Sequence, residues 1–555
     1  MVWTSQSKPA SILALLACAA ICLAAPAGRA LPPIVFTQVP VNARLGGLPD
    51  QSARIARLSP DGSVRPLAAE FISAADPDVS FDGKRILFAG KRRAGDKWQI
   101  FEMQANGTGI RQITREPMDC RSPAYQSKTY TITVEQPWYQ VTFTGTQGNS
   151  SSLYSVRLDG SALRRLTYNP FGDMDPYQMA DGRIVFAGRQ PGRLSLFGIN
   201  LDGTDFALFS GPEGPSEKRM PCVTSKRLAV FVEPTPVGRP GGTLGSVSLR
   251  RNLRSYRQLT RPADGVFFSP SPLADGVILV SRRDKASYGL VRLDPETRRI
   301  ERVYDDPERH DLQAKGIAPR TEPDGRSSVV DESVPTGKFY CLSVYTGDLA
   351  NPEWLKPGVA KRLRVVEAVP PDLTRRLLGE FDLDADGSFH IRTPANTPLQ
   401  FQVLDADGMA LRSCTWVWNK NMEQRGCIGC HEDGEMTPEN RFAQALAHPA
   451  VELTLPPERR RTVEFARDVK PIFKDKCGGA ACHASEGLEK AALVRSGSAR
   501  TSPLVWRIFG RNTARPWDRV PDPGVIRPMP PAGSPPLTAE EKRTIVEWID
   551  LGGKR

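Results

Sequence analysis

At 555 residues, 40% hydrophobic and 25% charged, the chain is too long for one ordinary core and too apolar for disorder, so two to four domains are expected. Its net charge of +12 is carried by scattered arginines, with no basic stripe interleaved with aromatics, which argues against nucleic acid as a partner. Proline (49) and glycine (47) stand at a level that suits many short strands broken by turns.

The first 30 residues read as a leader. SILALLACAAICLAA is an apolar run of about 15 residues after Lys8, and small residues follow in APAGRA. This is the pattern of a cleaved secretory signal over 1–30, since the run is shorter than the ~20 residues a membrane span needs. A membrane anchor and a lipid on Cys18 are the competing readings. No later stretch is apolar enough to cross a bilayer, so the mature chain is expected to be exported and periplasmic, with no integral membrane segment. In an oxidising compartment, cysteines default to disulfides unless their spacing says otherwise. Ten are present; Cys18 and Cys22 leave with the leader, and four sit in two motifs described below. Cys120, Cys222, Cys341 and Cys414 remain, enough for two bridges whose pairing the spacing does not reveal.

Residues 31–325 repeat. DPDVSFDGKRILFAG at 76–90 matches DPYQMADGRIVFAG at 175–188, and SPSPLADGVILVSRR at 269–283 is a fainter copy. Hairpins follow: IFEMQANGTGIRQIT, LYSVRLDGSALRRLT, LFGINLDGTDFALF and LVRLDPETRRIERVY, each a strand, a tight turn and a second strand. With VRPL and RQLT added, the closing strands end near 67, 114, 167, 209, 260 and 304. A period of about 42 to 53 residues with four short strands per unit predicts a six-bladed β-propeller, with a β-sandwich as the alternative. The D-P-x-x-S-x-D-G-K-x-I-x-F pattern resembles propeller repeats of the TolB type. No catalytic cluster lies here, which suits a docking platform.

From 326 to about 455, GKFYCLSVYTGD, VAKRLRVVEAVPP and GSFHIRTPANTPLQFQVLDADGMALRS alternate apolar and polar residues, predicting a compact, mainly antiparallel, sandwich-like β domain. Its last strand carries Trp416 and Trp418, which either wall a flat cofactor or simply pack, and runs into RGCIGCHEDG.

Cys427-Ile-Gly-Cys430-His431 is C-x-x-C-H, the attachment signature of c-type haem. Two thiols at this spacing reach the two vinyl groups of one porphyrin edge, and the following imidazole can bind iron. A zinc ribbon or a local disulfide are the alternatives. Cys477-Gly-Gly-Ala-Ala-Cys482-His483 is a looser version with four intervening residues. Its surroundings strengthen it within 456–555: VEFARDVKPIFKDKC reads as an amphipathic helix with Phe465, Val469, Ile472 and Phe473 on one face. LTAEEKRTIVEWIDLGG reads as a closing helix capped by Thr538 and Glu541, and the loop between presents Met529 before two prolines. Helix, CxxxxCH, Met-Pro-Pro loop and helix resemble a small all-α class I cytochrome c. The resemblance implies His483 and Met529 as the two iron ligands of a second haem, a pairing that raises the potential. Opposite His431, the only other histidines are His448, on an expected helix NRFAQALAH, His390 and His310.

The order of parts, with GSFHIRTPANTPLQFQVLDADGMALRS leading to RGCIGCHE, resembles the alpha subunit of hydrazine synthase and its relatives along nearly the whole mature chain. That resemblance implies two covalent haems and a place in a multi-subunit complex. In the synthase proper a tyrosine a few residues after C-x-x-C-H binds the middle iron. HEDGEMTPENRF contains none, so hydrazine synthesis does not follow from the resemblance alone. Two functions are therefore expected to compete. One is a dihaem electron carrier, exchanging electrons with a redox partner protein or a small-molecule donor or acceptor. The other is a haem oxidoreductase acting on a small nitrogen compound at the middle haem.

Overall fold

The computed structural model describes residues 31–43, 45, 52–131, 137–236, 239–347, 349, 351–370, 372–430, 442–477 and 493–554. The expected leader, His431, Cys482 and His483 lie outside the described residues. Among those described, no helix is long and apolar enough to cross a membrane.

The chain is mainly β. Between Ile34 and Gly316 it forms six four-stranded antiparallel groups, the last two joined by the single pair Gly242–Phe267. The short closing strands Val64–Leu67, Arg111–Gln112, Arg164–Arg165, Ala207–Leu208, Arg257–Gln258 and Ile300–Tyr304 fall where the hairpins predict. The first group is completed from both ends of the region, because Arg309–Gly316 pairs with Ile34–Pro40. The innermost strands Ser73–Val79, Asp119–Tyr125, Asp173–Gln178, Arg219–Val223, Val266–Pro272 and Arg309–Gly316 touch one another in sequence around a closed circuit, a propeller-like arrangement.

Each innermost strand carries one non-glycine residue at positive φ, namely Asp76, Ser122, Asp175, Met220, Ser269 and Gln313, beside a shift in register. These are bulges, which bend a strand and re-aim its side chains. Here they stitch neighbouring groups together. Asp76 accepts from Ser122 N at 2.9 Å and Arg121 Nε at 2.6 Å, and Asp175 accepts from Met220 N at 3.2 Å. Gln313 N donates to Ser269 Oγ at 2.8 Å, and Asp76 N donates back to Gln313 Oε1 at 3.1 Å. The Asp-Pro that opens each repeat, at 76–77 and 175–176, is therefore the joint between groups. Burial works against the charge on Asp76, but Arg121, Ser122 and Gln313 outweigh it and hold the carboxyl below its usual range.

The middle region packs two four-stranded sheets face to face. One has the order Gln424–Cys427, Thr336–Cys341, Phe389–Pro394, Val451–Glu452; the other runs Thr374–Asp382, Arg362–Val369, Leu399–Leu404, Ala410–Ser413. Phe339, Phe389 and Ile391 face Val365, Phe401 and Val403 across a shared apolar core. Burying side chains of this size is worth about 1.5–3 kcal/mol each. The first sheet departs from the antiparallel expectation, because Gln424–Cys427 and Val451–Glu452 both join it in parallel.

Among its described residues the C-terminal region holds three α-helices: α1 (Lys470–Cys477), α2 (Pro503–Phe509) and α3 (Ala539–Asp550). A π turn, Phe465–Val469, leads into α1, and Val469, Phe473, Ile545, Trp548 and Ile549 form the core with Met409 of the middle region. The α3 cap is as read from sequence: Glu541 N donates to Thr538 Oγ1 at 3.1 Å and Thr538 N to Glu541 Oε2 at 2.7 Å. A buried ion cluster locks α3 to the middle sheet. Arg364, fully buried, reaches Glu380 at 3.3 Å, Glu547 at 3.5 Å and Asp550 at 3.8 Å. Asp550 also accepts from Ala499 N at 2.8 Å and Ala410 N at 3.3 Å.

Candidate functional site

Three rows cross the sheet that carries the first cysteine motif. Arg425, Phe339 and Ile391 form one; Gly426, Tyr340 and His390 the next; Cys427, Cys341 and Phe389 the third. Because side chains alternate along a strand and in-register neighbours share a face, Cys341 and Cys427 point to the same side. Cys430 is buried in the same apolar cluster, with Cys414 and Cys427 packed against it. Cys414 accepts from Phe401 N at 3.0 Å; burial, then the nearby Cys430 and Cys427, push its thiol pKa well up. Four cysteines thus converge from residues 341, 414, 427 and 430. Among the described residues they do not form a metal cage, since no group of three or more His, Cys, Asp or Glu is arranged to hold an ion.

The backbone under the motif is packed too closely for side chains. A Cβ on Gly429 would sit 2.1 Å from Thr346 O, one on Gly347 2.5 Å from Cys430 O, and one on Gly426 2.5 Å from the Tyr340 hydroxyl. Leu342 N donates to Cys427 O at 3.0 Å. The motif is therefore a glycine shelf pressed on the loop after Cys341, with thiols three residues apart at the sheet edge. Those residues fit a covalently attached haem: two thiols at the spacing of two vinyl groups, held on a rigid backbone.

The segment leading into the shelf is bolted to the propeller-like region. Trp418, 1% exposed, packs its ring 4.1 Å from that of Phe206, with Tyr168 alongside. Arg425 donates to Trp418 O at 3.0 Å and to Phe206 O, its guanidinium lying over Phe206 and Phe339. Lys420 donates to Arg165 O at 2.8 Å, and burial pushes its pKa down to about 8. Glu423 accepts from Asp205 N at 2.8 Å; its own pKa is raised by burial. Trp416 packs with Val366, Ala368 and Leu551 under Arg375. Both tryptophans are packing residues that join regions, and the expectation of a cofactor wall is not met.

Of the other predicted ligands, His431 and His483 lie outside the described residues. Met529, half-buried, donates its N–H to Arg507 O at 2.9 Å, which ties its loop to the end of α2. α1 ends at Cys477, the first cysteine of the second motif. His310 lies inside the propeller-like region, accepting from Tyr288 N at 3.2 Å, and burial lowers its pKa. His448 does not follow a helix. Among the described residues of that stretch, 442–448, only the 3-10 turn Gln444–Ala447 is present, because Asp386 and Ser388 take the N–H groups of Gln444 and Ala445 at 3.0 Å. Its ring instead meets Asp384 at 3.1 Å; Pro449 O and that carboxylate raise its pKa. Sequence reasoning named Cys341 only as a candidate for a bridge and missed its place beside the motif, together with Arg425 and Gly347, because the parallel pairing spans about 85 residues of chain that no local pattern announces.

On the seam between the middle sheet and the C-terminal helices is a cavity of ≈ 580 Å³ lined by Trp354, Arg412, Arg500, Arg515, Trp517 and Asp550. Arg412 links it to the shelf, since a Cβ on Gly347 would meet Arg412 Nη1 at 3.0 Å as well as Cys430 O.

A propeller-like region, a two-sheet region ending on a glycine shelf of two thiols, and a helical region with a second cysteine motif define a three-part protein with two candidate cofactor-attachment sites. Residues 361–432 match the family described as the hydrazine synthase alpha subunit middle domain, a match that ends just past His431. The chain is 23% identical to hydrazine synthase subunit alpha of Kuenenia stuttgartiensis, over 94% of this chain and 91% of that one. The solved Kuenenia stuttgartiensis hydrazine synthase superimposes with a TM-score of 0.81 at 21% identity, covering 94% of each chain. TolB from Acinetobacter baumannii aligns with 51% of this chain and 66% of its own at 12% identity, with a TM-score of 0.39. The chain is a homologue of the hydrazine synthase alpha subunit.

Proposed function

We propose that the chain is an exported, periplasmic haem c oxidoreductase acting on a small nitrogen compound within a multi-subunit assembly. In this reading 1–30 is a cleaved signal, 31–325 a six-bladed propeller, 326–455 the domain that holds the first haem, and 456–555 a cytochrome c-like domain. Cys427 and Cys430 hold the first haem, with His431 toward its iron; Cys477, Cys482, His483 and Met529 serve the second. A haem attached at the first motif would supply an iron centre able to bind and exchange electrons with a small nitrogen compound. The protein's own part is positional: the glycine shelf fixes the thiols, and Trp418, Lys420, Glu423 and Arg425 keep the shelf from moving against the propeller. Arg412 sets a cation beside the shelf at the mouth of the seam cavity.

The observation that carries this reading is the end-to-end likeness to the synthase subunit, with the family match ending just past C-x-x-C-H. It is tested on full-length protein from a host that attaches haem c. Two haem masses and a high-spin iron signal that changes on adding nitric oxide or hydroxylamine are expected. A polypeptide mass without haem overturns it.

A second reading, electron transfer through two haems, is favoured by the buried Arg364 cluster, which fixes the C-terminal region on the middle sheet and so holds the two sites at one separation. Two low-spin signals indifferent to added nitric oxide would select it.

A further inference from the structure

We infer that Cys341 is a redox partner of Cys427: in the haem-free chain the two form an intramolecular disulfide that withholds the first motif from haem attachment until it is reduced. The consequence for attachment rests on the covalent-haem reading above; the disulfide itself does not.

Position carries the inference. Cys341 and Cys427 are direct partners in a parallel pair, so they share a face. Neighbouring strands lie about 4.8 Å apart, within the Cα separation of about 4.4–6.8 Å that a disulfide spans. The pair cannot drift apart, because Leu342 N is bonded to Cys427 O at 3.0 Å and Arg425 is clamped to Phe206 and Trp418. Cys430, three residues along and buried in the same core as Cys341, is the rival partner that the peptide map below tells apart. Cys414 already accepts the Phe401 N–H.

Exposure sets the order of events. Cys427 is half-buried, whereas Cys341 is 1% exposed. The Cys427 sulfur is therefore the one that attacks the disulfide of an exported-compartment thiol oxidase, giving a mixed disulfide and one oxidase thiolate. The Cys341 sulfur then attacks the Cys427 sulfur of the mixed disulfide, and the oxidase leaves as a dithiol carrying the two electrons and, by exchange through solvent, the two thiol protons. A dithiol reductant reverses both steps and returns Cys427 as a thiol able to add to a vinyl group.

The test uses the full-length chain exported in a host without haem-attachment machinery, alkylated and digested without reduction. A peptide pair linking Cys341 to Cys427 in most of the protein is expected. A Cys427–Cys430 or Cys414–Cys427 link, or full alkylation of Cys341 and Cys427, overturns the inference. In a haem-attaching host grown with limiting reductant, Cys341→Ala is expected to raise haem on the Cys427/Cys430 peptide at least twofold over the unaltered chain. Equal occupancy in the soluble folded fraction of both proteins removes the withholding role. Should Cys341→Ala not fold, peptide mapping of the unaltered chain decides by itself. Absence of haem from that peptide at full reductant would defeat the covalent-haem reading while leaving the disulfide result intact.

Discussion

The first cysteine motif and the helix that ends at the second are held in opposite ways. Cys427 and Cys430 lie on a strand and shelf held chiefly by segments from far along the chain: the strand ending at Cys341, the loop at Thr346 and Gly347, and Phe206 of the propeller-like region. Cys477 closes a helix whose first turns, cap-bearing partner and packing face are all within about 90 residues. The first site is therefore as rigid as the joint between two regions. The second depends on one helical cluster and on the ion pairs that fasten it. A reacting centre gains most from the former arrangement, since a rigid shell sets position.

Breaking the fastening should have the largest effect. Arg364→Ala takes the fully buried cation from Glu380, Glu547 and Asp550; Arg362 and Arg543 still reach Glu380 and Arg461 and Arg543 still reach Glu547, so Asp550 bears most of a loss of about 3–5 kcal/mol. Denaturant unfolding should then show the C-terminal region melting before the rest.

A pH effect of on the order of 2–4 kcal/mol is expected on the propeller side. Burial pushes the Asp311 carboxyl up to about 7, against hydrogen bonds from Gln38 and Asp306. Its folded pKa lies above the unfolded value near 3.8, so the folded chain holds a proton the unfolded chain releases. Stability should fall as pH rises from 4 to 7 and level off above. Asp173, also pushed up to about 7 by burial, acts in the same direction. In Asp311→Asn the slope of the unfolding midpoint with pH should shrink across that window.

Gly429→Ala should cost about 1–3 kcal/mol, because its Cβ would sit 2.1 Å from the Thr346 carbonyl. Haem-peptide analysis should show loss at the first motif with the second unchanged, which separates the two sites directly. The smallest effect belongs to Thr538→Ala: removing the α3 cap should cost about 1 kcal/mol in a thermal melt, with the first motif untouched.

The features that could be read without a structure are those generated by neighbours in sequence. Paired Asp-Gly turns and alternating apolar residues placed the closing strands of the six groups within about two residues. The Thr538–Glu541 cap and the buried face of α3 follow from a four-residue signal and a 3.6-residue period. The NRFAQALAH helix fails for a related reason: the side chains of Asp386 and Ser388, from a distant turn, outbid helical propensity. Trp416 and Trp418 looked equally suited to a cofactor or a core, and only their neighbours Leu551 and Phe206 decide for packing.

Sequence by itself determined the repeat, the cap of α3 and the spacing of the thiols, because each is an interaction closed within a few residues. Tertiary structure alone decided that Asp76 and Asp175 join neighbouring groups, that the motif strand enters its sheet in parallel, and that Cys341 lies beside Cys427. Those pairings form across 40 to 90 residues, where the side-chain pattern of one strand is compatible with many partners. Burial of the whole set against one core selects among them.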